Sequence, residues 1–261
     1  MDIVIYVTVF IFAILIGSFL NVCIYRIPKK ETIVSGRSYC INCNKTLKWY
    51  DMIPLFSFLL LKGKCRFCKS KISFQYPIVE GLNGILYMAV FYVYGWRTGL
   101  EVFLNIIFCL VISVLIVISV IDYRTYTIPL ALNRALYLLG LMVVVIKYFA
   151  FARSKEILLE HIIGFFAISL FLAAIFYITK GKGIGGGDVK LMAGAGLILG
   201  WKLVLLSFIL SCIFASFIHL ILMKVKKLDS TLAFGPYLCL GIVVSLLFGN
   251  NIINWYISNI I

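Results

Sequence analysis

Two aspartates stand out because each lies at the edge of a long apolar run. Asp122 ends the run VLIVISVID, and Asp188 follows the glycine-rich stretch GKGIGGG and precedes LMAGAGLILG. An ionisable residue at membrane depth is energetically costly and is a functional candidate by default. Two carboxylates that meet cannot both ionise cheaply, so one keeps a proton and the pair can act as general base and general acid. The two residues are therefore a candidate catalytic pair.

Two other interpretations of the aspartates are open at the level of sequence. Asp122 and Asp188 have basic neighbours, Arg124 and Lys190, so each carboxylate could serve only in a local ion pair at a helix end. Asp188 is also well placed for an N-cap of the following helix. In a transporter, the same two carboxylates would instead bind an ion or a proton.

The glycines before Asp188 favour a peptide-binding role over a nucleotide-binding one. A phosphate loop needs Ser or Thr after its lysine, and neither Lys182 nor Lys190 is followed by one. Gly183, Gly185 and Gly187 offer permissive backbone and room for another chain to approach. We therefore expect this loop to accept an extended peptide, with Lys190 as a candidate for orienting Asp188 or a substrate carbonyl.

The cysteines fall into two groups. Four lie singly inside apolar runs, where we expect small buried side chains, and four form the pairs CINC (Cys40, Cys43) and CRFC (Cys65, Cys68). Two C-x-x-C pairs at this separation are typical of a structural Zn²⁺ site with four thiolate ligands. Redox pairs or an iron–sulfur cluster are less common alternatives. A segment of about 50 residues with few aliphatic side chains is expected to depend on the metal for its fold.

The rest of the chain consists of apolar runs that must position these residues. The sequence is 63% hydrophobic and 13% charged, which predicts an all-α polytopic membrane protein. We predict about eight transmembrane helices, the sixth short and rich in glycine, at residues 3–25, 78–95, 100–121, 129–149, 157–179, 188–200, 203–223 and 233–250.

The distribution of basic residues predicts which side of the membrane each segment faces. The formal net charge is +14, and 18 of the 24 Lys and Arg lie at 26–71, 124, 180–190 and 224–227. The positive-inside rule makes these segments cytoplasmic, with both termini outside, so both aspartates and the cysteines face the cytoplasm. We attribute the charge to topology and anionic-lipid contact rather than to nucleic-acid binding. The same topology places His161 and His219 on opposite sides, so we expect packing roles for both.

Segment lengths predict three parts. Residues 1–25 form the first transmembrane helix, residues 26–77 form a cytoplasmic tetracysteine insertion, and residues 78–261 form a seven-helix membrane bundle. Only the insertion is long enough to fold by itself between two spans.

Several motifs resemble those of the bifunctional type IV prepilin peptidases with N-methyltransferase activity, which are GxGD-type membrane aspartyl proteases. GIGGGDVKLM (183–192) is similar to the family's second-aspartate element, and IDYRTYTIP (121–129) to its first, although Leu130 stands where the family often has Asp or Asn. The resemblance extends to an N-terminal element, the tetracysteine region and a late F-G-P element. These are GSFLNVCIYRIP (17–28), CINC with DMIP and GKCRFCKSKISFQYPIVE (40–80), and AFGPYL (233–238).

The resemblance implies a function in two steps. Asp122 and Asp188 would cleave a short basic leader from prepilins or pseudopilins, whose mature part begins with an apolar helix, at the cytoplasmic face of the bacterial inner membrane. The new amino terminus would then be methylated from S-adenosylmethionine, an activity that the family associates with the first cytoplasmic segment. Glu80, at the start of the second helix, is a candidate for receiving the new α-amino group or for capping the helix. Alternative functions are an intramembrane aspartyl protease without methyltransferase activity, or a non-enzymatic ion- or proton-coupled transporter.

Overall fold

A computed structural model describes residues 2–34, 36–150, 154–226 and 232–260. Arg153 and Lys227 lie outside these ranges, and the side chain of His219 is not described. The described residues form two compact units, Met1–Arg97 and Thr98–Ile261. Their helices are α1 (Asp2–Arg26), α2 (Phe56–Leu60), α3 (Gln75–Tyr94), α4 (Gly99–Thr125), α5 (Leu130–Ala150), α6 (Lys155–Ile178), α7 (Gly186–Leu199), α8 (Trp201–Lys226) and α9 (Gly235–Ile260).

In the first unit, the long helices α1 and α3 pack closely against each other. Gly17 lies on the backbone of Glu80, and Gly84 lies against the side chains of Phe10 and Ile14, so a Cβ at either glycine would force its neighbours to move. Small residues commonly allow such close packing of membrane helices. The buried Asn83 donates a hydrogen bond of 2.7 Å to the Ala13 carbonyl, which satisfies a polar group inside an apolar interface.

Two tight turns of the same design carry the four paired cysteines. The amide of Cys40 donates to the Lys45 carbonyl at 3.0 Å, and the amide of Cys65 donates to the Ser70 carbonyl at 2.8 Å. The residue after each cysteine pair is left-handed, with φ of 54° at Asn44 and 57° at Lys69. A 3₁₀ helix (Trp49–Met52) and α2 connect the two turns.

The second unit is a bundle built around α4. This helix begins with Thr98, whose side chain accepts a hydrogen bond from the Glu101 amide at 3.2 Å, while the Glu101 carboxylate accepts one from the Thr98 amide. Such reciprocal capping fixes the start of a helix. Its middle is buried, including Ile112, Leu115 and Ile118, and it packs against α5 and α9.

The described residues include seven helices long and apolar enough to cross a membrane, all except α2 and α7. This confirms the predicted all-α polytopic class with a tetracysteine insertion after the first helix. The predicted span at 188–200 is different from the other seven. It corresponds to α7, which has 14 residues and a length of roughly 21 Å, less than the roughly 30 Å hydrocarbon core.

Glycines explain how a short α7 fits into the bundle. Gly196 packs against the backbone of Gly164, and Gly200 packs against Glu160 near the start of α6, while Gly183 before α7 contacts Thr179 at the end of α6. The two helices therefore run antiparallel, and the segments at both ends of α7 extend its reach. The buried His161 hydrogen-bonds the Leu197 carbonyl at 2.8 Å, so it joins α6 to α7.

Candidate active site and metal centre

Asp122 lies in the last turn of α4 and is 5% exposed. Its Oδ2 accepts a hydrogen bond of 2.9 Å from the backbone amide of Gly235, the first residue of α9. A Cβ on Gly235 would lie 2.6 Å from the same oxygen. The glycine is therefore needed so that the start of α9 can approach the carboxylate. One helix N-terminus thus supplies both a donor and the positive end of its dipole.

Asp188 lies in the first turn of α7 and is 8% exposed. Its Oδ2 accepts a weak hydrogen bond of 3.3 Å from the amide of Gly185, the residue that precedes the helix. Asp188 therefore follows the N-cap position rather than occupying it. Its carboxylate bonds back to the residue before the helix. A carboxylate can accept several hydrogen bonds, so other donors can still bind it.

The fold brings the two aspartates into electrostatic contact. Gly187, the residue before Asp188, packs on Ile128 in the loop that follows Asp122, and the two carboxylates are close enough to repel each other. Arg124 and Lys190 are exposed, and neither forms an ion pair with the neighbouring aspartate. The basic residues therefore do not neutralise the pair, and proton sharing remains the way to relieve its repulsion.

The glycine loop has a simpler geometry than its composition suggests. We expected its glycines to provide unusual backbone angles, but from 181 to 187 only Gly181 has a positive φ, at 75°. Gly187 is needed for another reason, because a Cβ there would lie 2.9 Å from the side chain of Ile128 in the loop between α4 and α5. Gly183 and Gly185 are exposed, so they leave uncovered backbone beside Asp188.

A residue that we did not single out in the sequence, Asn133, supports this loop. It lies in the first turn of α5, is 1% exposed, and its Nδ2 reaches the Gly187 carbonyl at 3.5 Å. Its Oδ1 is buried without a hydrogen-bond partner. The only signal in the sequence is a polar amide four residues after Pro129 inside a predicted span. Gly235 was visible as part of the F-G-P element, although sequence alone gave it no role.

The four paired cysteines form one cluster. The cluster consists of the Sγ atoms of Cys40, Cys43, Cys65 and Cys68, which all lie within 4.8 Å of one another. The Sγ atoms of Cys40 and Cys68 are 3.9 Å apart. Four thiolates around one zinc ion, with bonds of about 2.3 Å, have sulfur–sulfur distances near 3.8 Å. The Ser70 hydroxyl lies 3.1 Å from the Cys68 Sγ.

Glu80 lies in the second turn of α3 and is 5% exposed. Phe74 is the residue that precedes this helix, so Glu80 does not cap α3. Its Oε2 instead accepts a hydrogen bond of 2.9 Å from the amide of Leu55, whose φ is 61°. Ser18 of α1 lies beside the same carboxylate, and Gly17 packs on the Glu80 backbone. Glu80 thus joins α1, α3 and the start of α2 within the first unit.

Comparisons with known proteins agree with this geometry. Residues 11–94 match the family described as "Bacterial Peptidase A24 N-terminal domain", and residues 109–220 match the "Type IV leader peptidase family". Three curated relatives are each named "Prepilin leader peptidase/N-methyltransferase". That of Bacillus subtilis is 35% identical and covers 95% of this chain and 96% of its own length. Those of Legionella pneumophila (31%; 97% and 94%) and Aeromonas hydrophila (32%; 96% and 93%) are similar.

No solved structure matches the chain. The two family matches fall within the two compact units, one in each, and the curated relatives align over nearly the whole chain. The chain belongs to the type IV leader peptidase family, alongside the prepilin leader peptidase/N-methyltransferases.

Proposed function

We propose that this protein removes the short basic leader of prepilins or pseudopilins and then methylates the new amino terminus. The observation that carries the first step is the buried, interacting pair Asp122 and Asp188, contributed by α4 and α7. The second step is supported by relatives whose names include N-methyltransferase. Both family matches and the full-length coverage of those relatives favour this function over a transporter or a protease without methylation.

The two aspartates divide the work of peptide hydrolysis. The ionised carboxylate takes a proton from a water molecule, whose oxygen then forms a bond to the carbonyl carbon of the scissile amide. The protonated carboxyl donates its proton to the leaving nitrogen as the C–N bond breaks, so the pair ends with its proton exchanged. The Gly235 amide holds Asp122 in place through its hydrogen bond, while the Gly185 amide does the same for Asp188.

The substrate must be extended at the cleaved bond, because a helix hides its amides. The exposed backbone of Gly183 and Gly185 beside Asp188 offers a surface without side chains, to which such a strand can hydrogen-bond. We assign Lys190 to orienting the substrate carbonyl, because its side chain is exposed two residues after Asp188. The apolar helix of the substrate would remain in the membrane while the leader is cut.

We place the reaction at the cytoplasmic face of the inner membrane. The protein is a multi-pass membrane protein, and 18 of its 24 basic residues lie in segments that the positive-inside rule assigns to the cytoplasm. Asp122 and Asp188 border two of those segments, and the tetracysteine insertion is a third. Both termini would then lie outside.

The cysteine cluster fits a structural zinc ion. Thiolates are soft ligands that favour zinc, and four of them leave no open position for catalysis. S-adenosylmethionine is the methyl donor that we propose for the second step. The zinc would hold the two turns together and so shape the first unit around the site of that step.

Anionic lipid is a further proposed partner. Phe56, Leu59 and Leu60 of α2 are exposed, and Lys62 and Lys64 follow them closely. This apolar and basic surface lies beside the first turns of α3, since Phe58 packs on Phe74 with ring centroids 5.5 Å apart. Such a surface is suited to the headgroup region of an anionic membrane.

A peptide assay with the purified protein tests the proposal. The substrate is a synthetic peptide with a basic leader and an apolar segment, incubated with S-adenosylmethionine and analysed by mass spectrometry. Asp122→Asn and Asp188→Asn should each lower the cleavage rate by at least about 10³-fold, because the pair loses its base or its acid. Glu156→Gln, an exposed carboxylate at the start of α6, serves as the control. Cleavage at the wild-type rate by either aspartate variant would disprove the proposal. Ion uptake without peptide cleavage would favour a transporter.

A further inference from the structure

The first two turns of α5 lie against the helical turn that carries Asp188. Asn133 Nδ2 donates to the Gly187 carbonyl at 3.5 Å. The Tyr137 hydroxyl donates to the Lys190 carbonyl at 3.0 Å. These carbonyls belong to the residue before Asp188 and to the residue two positions after it. Two side chains of one helix therefore contact the backbone on both sides of a proposed catalytic carboxylate.

The first turn of α7 has little intrinsic stability. The helix begins with Gly186 and Gly187, and Gly185 before them has no side chain that could cap it. Glycine loses more conformational freedom in a helix than any other residue, and helix ends fray. A helix carbonyl accepts one amide four residues further on, and its second lone pair can accept another donor. The donors from α5 use that capacity and restrain the turn.

The ring of Tyr137 is held on two sides. A Cβ at Gly194 of α7 would lie 3.2 Å from the ring, so the glycine leaves the space in which the ring packs. The ring of Phe165 in α6 meets it at an angle of 62°, with centroids 6.1 Å apart. Loss of the hydroxyl alone would therefore leave the ring in place and remove only the contact with the Lys190 carbonyl.

Asn133 makes its contact at a cost in stability. Its side chain is 1% exposed, and its Oδ1 has no hydrogen-bond partner among the described residues. A buried acceptor without a donor destabilises the folded state, whereas an apolar side chain of similar shape does not. Packing alone would therefore favour leucine at this position. The amide supplies what leucine lacks, a donor for the Gly187 carbonyl.

The segment before α5 connects the same turn to Asp122. The loop 126–129 joins the end of α4, which carries Asp122, to the start of α5. The hydroxyls of Thr125 and Thr127 share a hydrogen bond of 2.9 Å. Ile128 then packs on Gly187, where a Cβ would lie 2.9 Å from its side chain. A short ordered loop thus joins α5 to the end of α4, while side chains from the loop and from α5 contact α7.

We propose that Asn133 and Tyr137 are positioning residues, which hold the turn of Asp188 in the orientation toward Asp122 that peptide cleavage requires. This inference rests on the proposed function. Each residue acts through a backbone carbonyl of α7 and not on the substrate. A misplacement of about 1 Å can lower the rate of a reaction by about 10²-fold. Release of the turn should therefore slow the chemical step more than it weakens substrate binding.

Separate measurements of kcat and KM for leader cleavage by the full-length protein test the inference. Asn133→Leu should lower kcat by about 10- to 100-fold and change KM by less than about threefold. Its melting temperature in detergent should not fall, because the substitution removes the unpartnered acceptor. Asn250→Leu, the same change at an exposed position of α9, should leave kcat unchanged.

Tyr137→Phe removes one oxygen atom and keeps the ring, so it decides the question even if Asn133→Leu does not fold. It should lower kcat by about 3- to 10-fold, as expected for the loss of one hydrogen bond. Tyr256→Phe, at an exposed position of α9, is the matched control. The double variant should lose less than the product of the two single losses, because both contacts hold the same turn.

Three results would overturn the inference. They are a wild-type kcat in both single variants, a melting temperature of Asn133→Leu that falls together with its activity, and a loss in the double variant equal to the product of the single losses. The second result would identify Asn133 as a residue needed only for folding. If the wild-type protein does not cleave the leader peptide at all, the proposed function itself fails, which is a different result.

Discussion

Each of the two proposed catalytic aspartates accepts a hydrogen bond from the backbone amide of a glycine. Asp122 is held by the Gly235 amide, 113 positions further along the chain, and Asp188 by the Gly185 amide. A side chain at Gly235 would enter the space of the carboxylate itself. Any residue other than glycine at 235 would therefore displace either the start of α9 or the Asp122 carboxylate.

Gly235→Ala tests this dependence at the residue scale. The new Cβ would lie 2.6 Å from Asp122 Oδ2, so either α9 or the carboxylate must shift. We expect cleavage to fall by at least about tenfold and stability by about 1–3 kcal/mol, measured as kcat/KM and by thermal unfolding. Gly99→Ala is the control, because nothing lies within 4 Å of a Cβ there. Equal activity of both variants would show that the contact is dispensable.

At the scale of elements, α7 is positioned by glycines rather than by length or amphipathicity. Gly196 meets the backbone of Gly164 on α6, and Gly194 meets Leu136 and Tyr137 on α5. Glycine lowers the intrinsic stability of a helix, so its presence here follows from the close approach of three helices. That approach is what brings the N-terminus of α7, and with it Asp188, to the end of α4.

Gly196→Ala should separate α6 from α7. The added methyl overlaps the Gly164 backbone, which cannot move without displacing a helix, so we expect a loss of stability above about 2 kcal/mol and a lower cleavage rate. Gly81→Ala is the contrasting variant, because its Cβ would make only an ordinary contact of 4.0 Å with Leu55. It should stabilise α3 by about 0.5–1 kcal/mol. Thermal unfolding in detergent measures both, and equal shifts would contradict the packing argument.

The two cysteine turns form the candidate metal site together, because each contributes two of its four Sγ atoms. Their repeated geometry orients Cys40 and Cys43 toward Cys65 and Cys68, with all four Sγ atoms within 4.8 Å. Among the described residues from 27 to 74, only Pro54 and Cys65 are buried, so we expect the metal to supply much of the stability of this segment.

Cys40→Ser should therefore remove the metal. We expect elemental analysis to find about one zinc per wild-type chain and far less in the variant, because three thiolates bind zinc much more weakly than four. Limited proteolysis should then cut residues 26–77 faster. Cys212→Ser, a lone cysteine in α8, should keep the full zinc content. Full zinc occupancy in Cys40→Ser would disprove the site.

At the scale of the whole molecule, the segments rich in Lys and Arg are the ones next to the candidate sites. The basic segments adjoin Asp122, Asp188 and the cysteine turns in the sequence, so the proposed orientation would present both proposed activities to the cytoplasm. The leader of the substrate is also basic, and bulk electrostatics would repel it from these segments. We propose that anionic lipid bound near α2 would supply the compensating attraction.

Fusions to reporter proteins test the orientation. Alkaline phosphatase, which is active only outside the cytoplasm, should be active when fused after Arg97 and inactive when fused after Lys182, with green fluorescent protein giving the opposite pattern. The physical basis is the excess of Lys and Arg in the segments that remain inside. An active phosphatase after Lys182 would invert the topology and exclude cytoplasmic cleavage.

The sequence by itself determined the helical membrane class, the cysteine cluster and Asp122 with Asp188 as a candidate pair. These features depend on local composition and on short spacings, which can be read from the sequence without knowing the fold. Helix starts were also visible, because Pro77, Pro129 and Pro236 lie at or near the first turns of α3, α5 and α9. The roles assigned to Glu80 and Lys190 remain predictions.

Only the tertiary structure decided how the sites are assembled. It showed that α7 is short, that Gly187 packs on Ile128 rather than adopting a special φ, and that Gly235 and Asn133 support the aspartates. It also showed that Glu80 holds Leu55 and lines a cavity. Each of these contacts joins residues that helix packing brings together. Which distant residues meet depends on how the whole core packs, and no local sequence pattern specifies it.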